Sequence, residues 1–205
     1  EQLSIPSNGT ENGYAYVDLG LSVKWATMNV GASESEDYGD YFAWGETTTK
    51  STYDWSTYKW CNGSSSTLTK YCNNSSYGNN GFTDNKTQLE LSDDAARANW
   101  GGSWRMPTDA EWTELREQCT WTWTIQNGGN GCRVTSKTNG NSIFLPAAGY
   151  LRDSSSSAGS NGSYWSSSLG TNNLGHAWGV YFYSSYVDSN TFSRECGRSV
   201  RAVCL

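Results

Sequence analysis

Six cysteines (Cys61, Cys72, Cys119, Cys132, Cys196 and Cys204) and one histidine, His176, are the residues most able to do chemistry in this chain. No C-x-x-C pair occurs, and a single imidazole cannot complete a Cys2His2 zinc site. Cys61 and Cys72 bracket a Ser/Thr-rich loop, and Cys119 and Cys132 bracket "TWTWTIQNGGNG", a hairpin-like stretch. The spacing favours disulfides 61–72 and 119–132, with buried free thiols as the other reading. His176 sits among many serines, but no G-x-S-x-G turn surrounds any of them, so no nucleophile–base set is defined. The acidic stretches "ESEDYGD" and "TDNK" carry two readings, turn caps or oxygen ligands of a structural Ca2+. No other cofactor is expected, and no catalytic residue.

A different chemistry, that of contact surfaces, is written in "WGVYFYSSYVDS", Trp178 to Ser189. On a strand, alternate side chains share a face. Trp178, Val180 and Phe182 are then expected to anchor in a core while Gly179, Tyr181 and Tyr183 face outward. Tyrosine, serine and glycine together suit binding, because rigid aromatic area stands beside small adaptable polar groups. The expected ligand-binding set is Gly179, Tyr181, Tyr183, Ser185, Tyr186, Asp188, Ser189, Asn190, Thr191, Phe192, Glu195 and Arg198. The competing reading is a half-exposed sheet with no ligand, since tyrosine favours strands regardless.

The elements that must position this segment are legible in outline. Residues 1–12 read as a polar leader and 13–205 as one ligand-binding domain. "YAYVDLGLSVKWATMNVG" suggests two early strands around Gly20, and the stretch from Glu34 to Gly81 reads as long loops held by aromatic anchors. In "LSDDAARANWG", Ser92 is expected to cap a helix, with Asp93 and Asp94 in its first turn. In "PTDAEWTELREQC", Thr108 and Glu111 form a capping box, with Trp112, Leu115 and Cys119 on one face. Period-two patterns follow to the end of the chain. Strands, two helices and then many strands give an α+β expectation.

With 20 acidic against 14 basic side chains, and a net charge of −6, the chain lacks the basic footprint of a nucleic-acid partner. No run approaches the ~20 apolar residues needed to span a bilayer, so direct membrane insertion is not expected. The start lacks a signal-peptide pattern, and export is expected with the signal absent from this chain.

"WRMPTDAEWTEL", "FLPAAGY", "GSYWSSS", the terminal "CGRSVRAV" and the opening "VDLGLSVKWATMNVGA" and "EDYGDYFAWGET" resemble the Fibrobacter succinogenes major paralogous domain of gut Bacteroidetes. The likeness runs from about Tyr14 to the end. It implies the formylglycine-generating-enzyme branch of the C-type lectin fold: two helices, a twisted antiparallel sheet and extensive loops. That branch includes variable proteins of diversity-generating retroelements, in which adenines of AAC codons are mutagenised. Gly179, Tyr181, Tyr183, Tyr186, Asp188, Ser189, Asn190, Thr191, Phe192, Ser193, Cys196 and Arg198 are all reachable from AAC; Glu195 is not. The oxidase activity of that branch uses neighbouring copper-binding cysteines, and Cys196 and Cys204 differ from that spacing. Calcium-dependent sugar-binding motifs are absent. The resemblance therefore implies a non-enzymatic adhesin or receptor-binding protein at a cell surface whose partner is a protein or glycan on a host or neighbouring cell, with a phage tail receptor-binding protein or a relative of the formylglycine-generating oxidases as the alternatives.

Overall fold

The computed structural model describes residues 8–153 and 155–205. Among the described residues, thirteen strands form four antiparallel sheets. The first holds β1 (Gly9–Glu11), β2 (Tyr14–Val17), β3 (Lys24–Ala26) and, from the far end of the chain, β13 (Val203–Cys204). The second is a meander of β4 (Cys119–Gln126), β5 (Gly129–Ser136) and β6 (Ser142–Pro146). The third joins β7 (Tyr150–Arg152), β8 (Ser155–Ser156) and β12 (Gly197–Arg198). The fourth, which builds the site, holds β9 (Gly162–Leu169), β10 (His176–Tyr183) and β11 (Tyr186–Ser193), with β11 at its edge.

The fold class departs from expectation: the chain is mainly β, 37% strand against 11% helical, rather than α+β with a C-type-lectin-like layer of helix and sheet. Both helices lie where the sequence places them, but neither is long enough to form a layer. α1 (Ala95–Trp100) ends after six residues because Gly101 turns into a left-handed conformation with φ 65°. Its cap is Asp94, whose carboxylate accepts from Arg97 N at 3.0 Å, and not Ser92, which lies in a preceding 3-10 turn. α2 (Asp109–Gln118) has the expected Thr108/Glu111 capping box and buries Trp112 and Leu115. It stops at Cys119, where alternating threonine and aromatic residues favour strand. Of the expected leader, residues 1–7 lie outside the described residues, whereas Gly9–Glu11 pairs with β2.

The first and fourth sheets separate two apolar clusters. Val17, Trp25 and Val203 face one cluster while Ala26, Ala202 and Cys204 face the other. β9 divides likewise, with Tyr164 on one side and Trp165 on the other. The long irregular stretch after β3 is held as expected, by ring hydrogen bonds to backbone carbonyls: Trp44 Nε1 to Ser166 O at 2.8 Å, Tyr58 OH to Trp44 O at 2.6 Å, and Trp60 Nε1 to Gly45 O at 2.8 Å.

The expected disulfides are absent, and all six cysteines are free thiols. β4 and β5 do form a hairpin, turning through Asn127 and Gly128 at φ 47° and 86°, the left-handed pair that a tight hairpin needs. Its register sets Cys119 opposite Ser136 and Cys132 opposite Trp123. The two cysteines are thus offset by four residues, about 13 Å along the strand at ~3.3 Å per residue, too far for a bridge. Cys61 pairs with Leu68 instead, four residues short of Cys72. Its thiol donates to Trp55 O at 3.2 Å, and that of Cys72 to Asn74 O at 3.1 Å.

Candidate functional site

β10 and β11 pair without interruption, Tyr181 opposite Asp188, Tyr183 opposite Tyr186, Gly179 opposite Asn190 and Ala177 opposite Phe192. Directly paired residues share a face, so these eight positions lie on one face of the ribbon, buried at Ala177 and Gly179 and open toward Tyr183 and Tyr186. Val180 and Phe182 point the other way and are fully buried. Trp178 departs from expectation: it is half-buried and belongs to neither apolar cluster. The register of β10 against β9 shifts between Ala177 and Gly179. On the far side of that shift the chain anchors through Ala177 in one cluster, and on the near side through Val180 and Phe182 in the other. Trp178 falls at the changeover.

A cavity of about 270 Å³ opens on this surface. Tyr181, Tyr186, Asp188, Asn190 and Phe192 line it from β10 and β11, and Arg198 and Tyr150 from the adjacent sheet, where they pair across β12 and β7. Rings run in contact along the surface: Trp165 to Phe192 at 6.4 Å, Phe192 to Tyr181 at 6.4 Å, Tyr181 to Tyr183 at 5.9 Å, and Tyr183 stacked on Tyr186 at 5.2 Å. Tyr183 and Tyr186 are 40% and 46% exposed, among the most open large side chains described. Asp188 reaches Arg116 Nη2 at 2.7 Å and accepts from Tyr186 OH at 3.2 Å. That acceptor, which favours the protonated phenol, raises the Tyr186 pKa, and burial raises that of Tyr181.

Arg198 is 5% exposed and lies in the cavity wall. Its backbone is fixed by paired hydrogen bonds with Phe42, both 3.0 Å. Its guanidinium carbon lies 4.0 Å from the Phe192 ring centre and 4.5 Å from that of Tyr150, and the side chain donates to Ser163 Oγ. Burial lowers its pKa to about 10.

Residues 134–203 match the model of a domain of unknown function, DUF8237. That span runs from the end of β5 to the start of β13 and so contains the whole cavity. No curated protein matches the chain, and no solved structure matches it.

Six of the expected site residues, Tyr181, Tyr186, Asp188, Asn190, Phe192 and Arg198, come together around the cavity. Tyr183 and Ser185 line a neighbouring hollow at the hairpin turn, with Trp121 and Trp123 of β4. Gly179 is covered, and its lack of a side chain lets β9 approach: a Cβ there would stand 2.3 Å from Tyr164 O. Ser189 Oγ accepts from Arg116 Nη1 at 3.0 Å, Thr191 Oγ1 lies 3.4 Å from His176 Nδ1, and Glu195 is buried, accepting from Ser193 Oγ at 2.5 Å. Tyr150, Trp121 and Trp123 were not anticipated. Tyr150 closes the motif "FLPAAGY", but its pairing with Arg198 joins residues 48 positions apart, which no local pattern reveals.

Asp37 of "ESEDYGD" caps Ser33 N and Glu34 N, and Asp84 of "TDNK" accepts from Tyr71 N and Cys72 N. No group of three or more His, Cys, Asp or Glu residues is placed to share a metal among the described residues. Burial lowers the His176 pKa, and it raises that of the Cys196 thiol to about 11, which disfavours the reactive thiolate.

Proposed function

We propose that this protein is a non-enzymatic binding protein of adhesin or receptor-binding type, whose ligand docks on the outward face of β10 and β11. One observation carries the reading: a cavity on a continuous aromatic surface, with two stacked tyrosines left open beside it. Tyrosine is a low-entropy anchor, and clustered aromatic and arginine side chains are where interface energy concentrates. Retroelement diversification of this face is part of the proposal. All six cavity residues on the terminal segment belong to the set reachable from AAC, while Glu195, which does not, is buried and does not line the cavity.

A cell-surface setting is also proposed, with a protein or glycan on another cell as partner. The six free thiols lend no redox support to export, so this setting rests on the family resemblance and the character of the face. The test is a glycan and protein array probed with the native chain and with a Tyr181→Ala/Tyr183→Ala/Tyr186→Ala variant. Binding lost in the folded variant supports the proposal, and binding retained refutes it. A reverse transcriptase gene beside a near-copy of the terminal coding region, differing at adenines, supports diversification; a neighbourhood without one counts against it.

A further inference from the structure

Three arginines close together near the chain end, Arg194, Arg198 and Arg201, are all buried, yet they are treated differently. Arg194 donates to Tyr58 OH and to the carbonyls of Tyr71, Leu174 and Lys70. Arg201 donates to Asn29 Oδ1 and to the carbonyls of Ala26 and Phe144. Both guanidinium groups are spent on tying distant segments together. Arg198 donates only to Ser163 Oγ, its buried Nε has no partner, and it forms no ion pair among the described residues. Buried charges are ordinarily paired or fully hydrogen-bonded. The rings of Phe192 and Tyr150 stabilise the cation through their faces but offer it no acceptor along its edge. The buried Glu195 carboxylate attracts Arg198 without forming an ion pair with it, so an acidic chain of net charge −6 keeps a cation with unused donors in the wall of its aromatic cavity.

We infer, resting on the binding face proposed above, that the cavity takes a carboxylated sugar at the end of a glycan, with Arg198 as counter-ion to the carboxylate. Arginine matches a carboxylate with paired, charge-assisted hydrogen bonds. Tyr181, Tyr186 and Phe192 provide flat apolar surface for the C–H side of a sugar ring. Asp188 and Asn190 on the same wall supply acceptors and donors for its hydroxyls, and Asp188 already has Arg116 as partner, which moderates its repulsion of an anion. At about 270 Å³ the cavity lies at or below the small end of ligand sites, which run ~300–1,000 Å³, and suits one ring rather than a chain.

Two sources of this chemistry, a uronic acid and a sialic acid, are separated by probing with methyl β-D-glucuronide and the methyl glycoside of N-acetylneuraminic acid. Titration calorimetry on the native chain is expected to show binding of at least one, and loss of about ten- to a hundred-fold in affinity when its carboxylate is converted to the methyl ester. The ester comparison needs no altered protein. Arg198→Met, checked for folding, is expected to bind acid and ester alike, and Asn190→Ala, at an exposed position, to weaken the acid. Equal binding of acid and ester by the native chain, or binding of neither acid, overturns the inference. So does capture of a peptide C-terminal carboxylate in preference to both sugars. An array ligand that needs Tyr181, Tyr183 and Tyr186 but is indifferent to charge leaves the binding-face proposal standing while this inference falls. A face on which no ligand depends removes both.

Discussion

Replacing Phe182 with alanine and, separately, its neighbour Tyr183 with alanine is expected to produce opposite results, although the residues are adjacent in sequence and share one strand. Phe182 has no exposed surface and sits between Trp121 at 5.7 Å and Tyr164 at 6.1 Å. Its ring lies on Gly162, where even a Cβ would come within 2.0 Å of it, so no side chain on β9 at that point can move in to fill the space. Loss of the ring and the remaining hole together are expected to cost about 3–5 kcal/mol. At ~2–4 °C per kcal/mol for a chain of this size, the melting point falls by about 6–20 °C. Tyr183 is 40% exposed and loses only its stacking on Tyr186 and an edge contact with Tyr181, a change of about 0.5–1 kcal/mol. Urea titrations followed by tryptophan fluorescence, with the m-value checked for constancy, give both numbers. A Tyr183→Ala loss equal to that of Phe182→Ala would show the faces of β10 to be assigned backwards.

Gly179→Ala is expected to destabilise by about 1–3 kcal/mol, because its Cβ meets the backbone oxygen of Tyr164, and a thermal melt measures it. Alkylation of the denatured, unreduced protein is expected to add six labels by mass spectrometry, and a mass short by two would restore a disulfide. In the native protein at pH 8, Cys119 and Cys132 are expected to resist labelling, since burial raises their pKa values to about 11 and about 12. The same shifts set an alkaline limit. The unfolded chain loses these protons near the ordinary thiol value of 9.0 while the folded chain keeps them, so stability is full below about 9 and falls as pH rises toward about 12. Denaturant midpoints at pH 8 and 10.5 check the sign.

The capping box at Thr108 and Glu111 and the hairpin between Cys119 and Cys132 were legible because each is a local rule satisfied by local residues. The alternation of β10 was legible at Val180, Tyr181, Phe182 and Tyr183 for the same reason. Trp178 was misread because the register shift against β9 depends on a neighbouring strand that the local pattern does not contain. The class was misjudged through two helix signals that are genuine but short, sixteen residues in all. The disulfides failed on register: nearness in sequence placed Cys119 and Cys132 on one hairpin without placing them opposite each other. Most of the cavity was visible as one alternating segment, whereas Tyr150 reaches it only through long-range pairing with Arg198.

The first half of this chain is completed by its last dozen residues. β3 pairs with β13, Val30 N donates to Val200 O, Phe42 exchanges bonds with Arg198, Trp44 N donates to Arg194 O, and the Arg201 guanidinium holds Ala26 O. A ribosome delivers these partners in the reverse of the useful order. At ~5–20 residues per second, Trp25, Phe42 and Trp44 emerge roughly 10–40 s ahead of the strands that will cover them. Such long sequence separation slows folding, since loop closure precedes any gain from contact. The nascent chain therefore carries a row of uncovered indoles that a chaperone can hold, and a product that stops before Cys196 lacks residues that close both clusters.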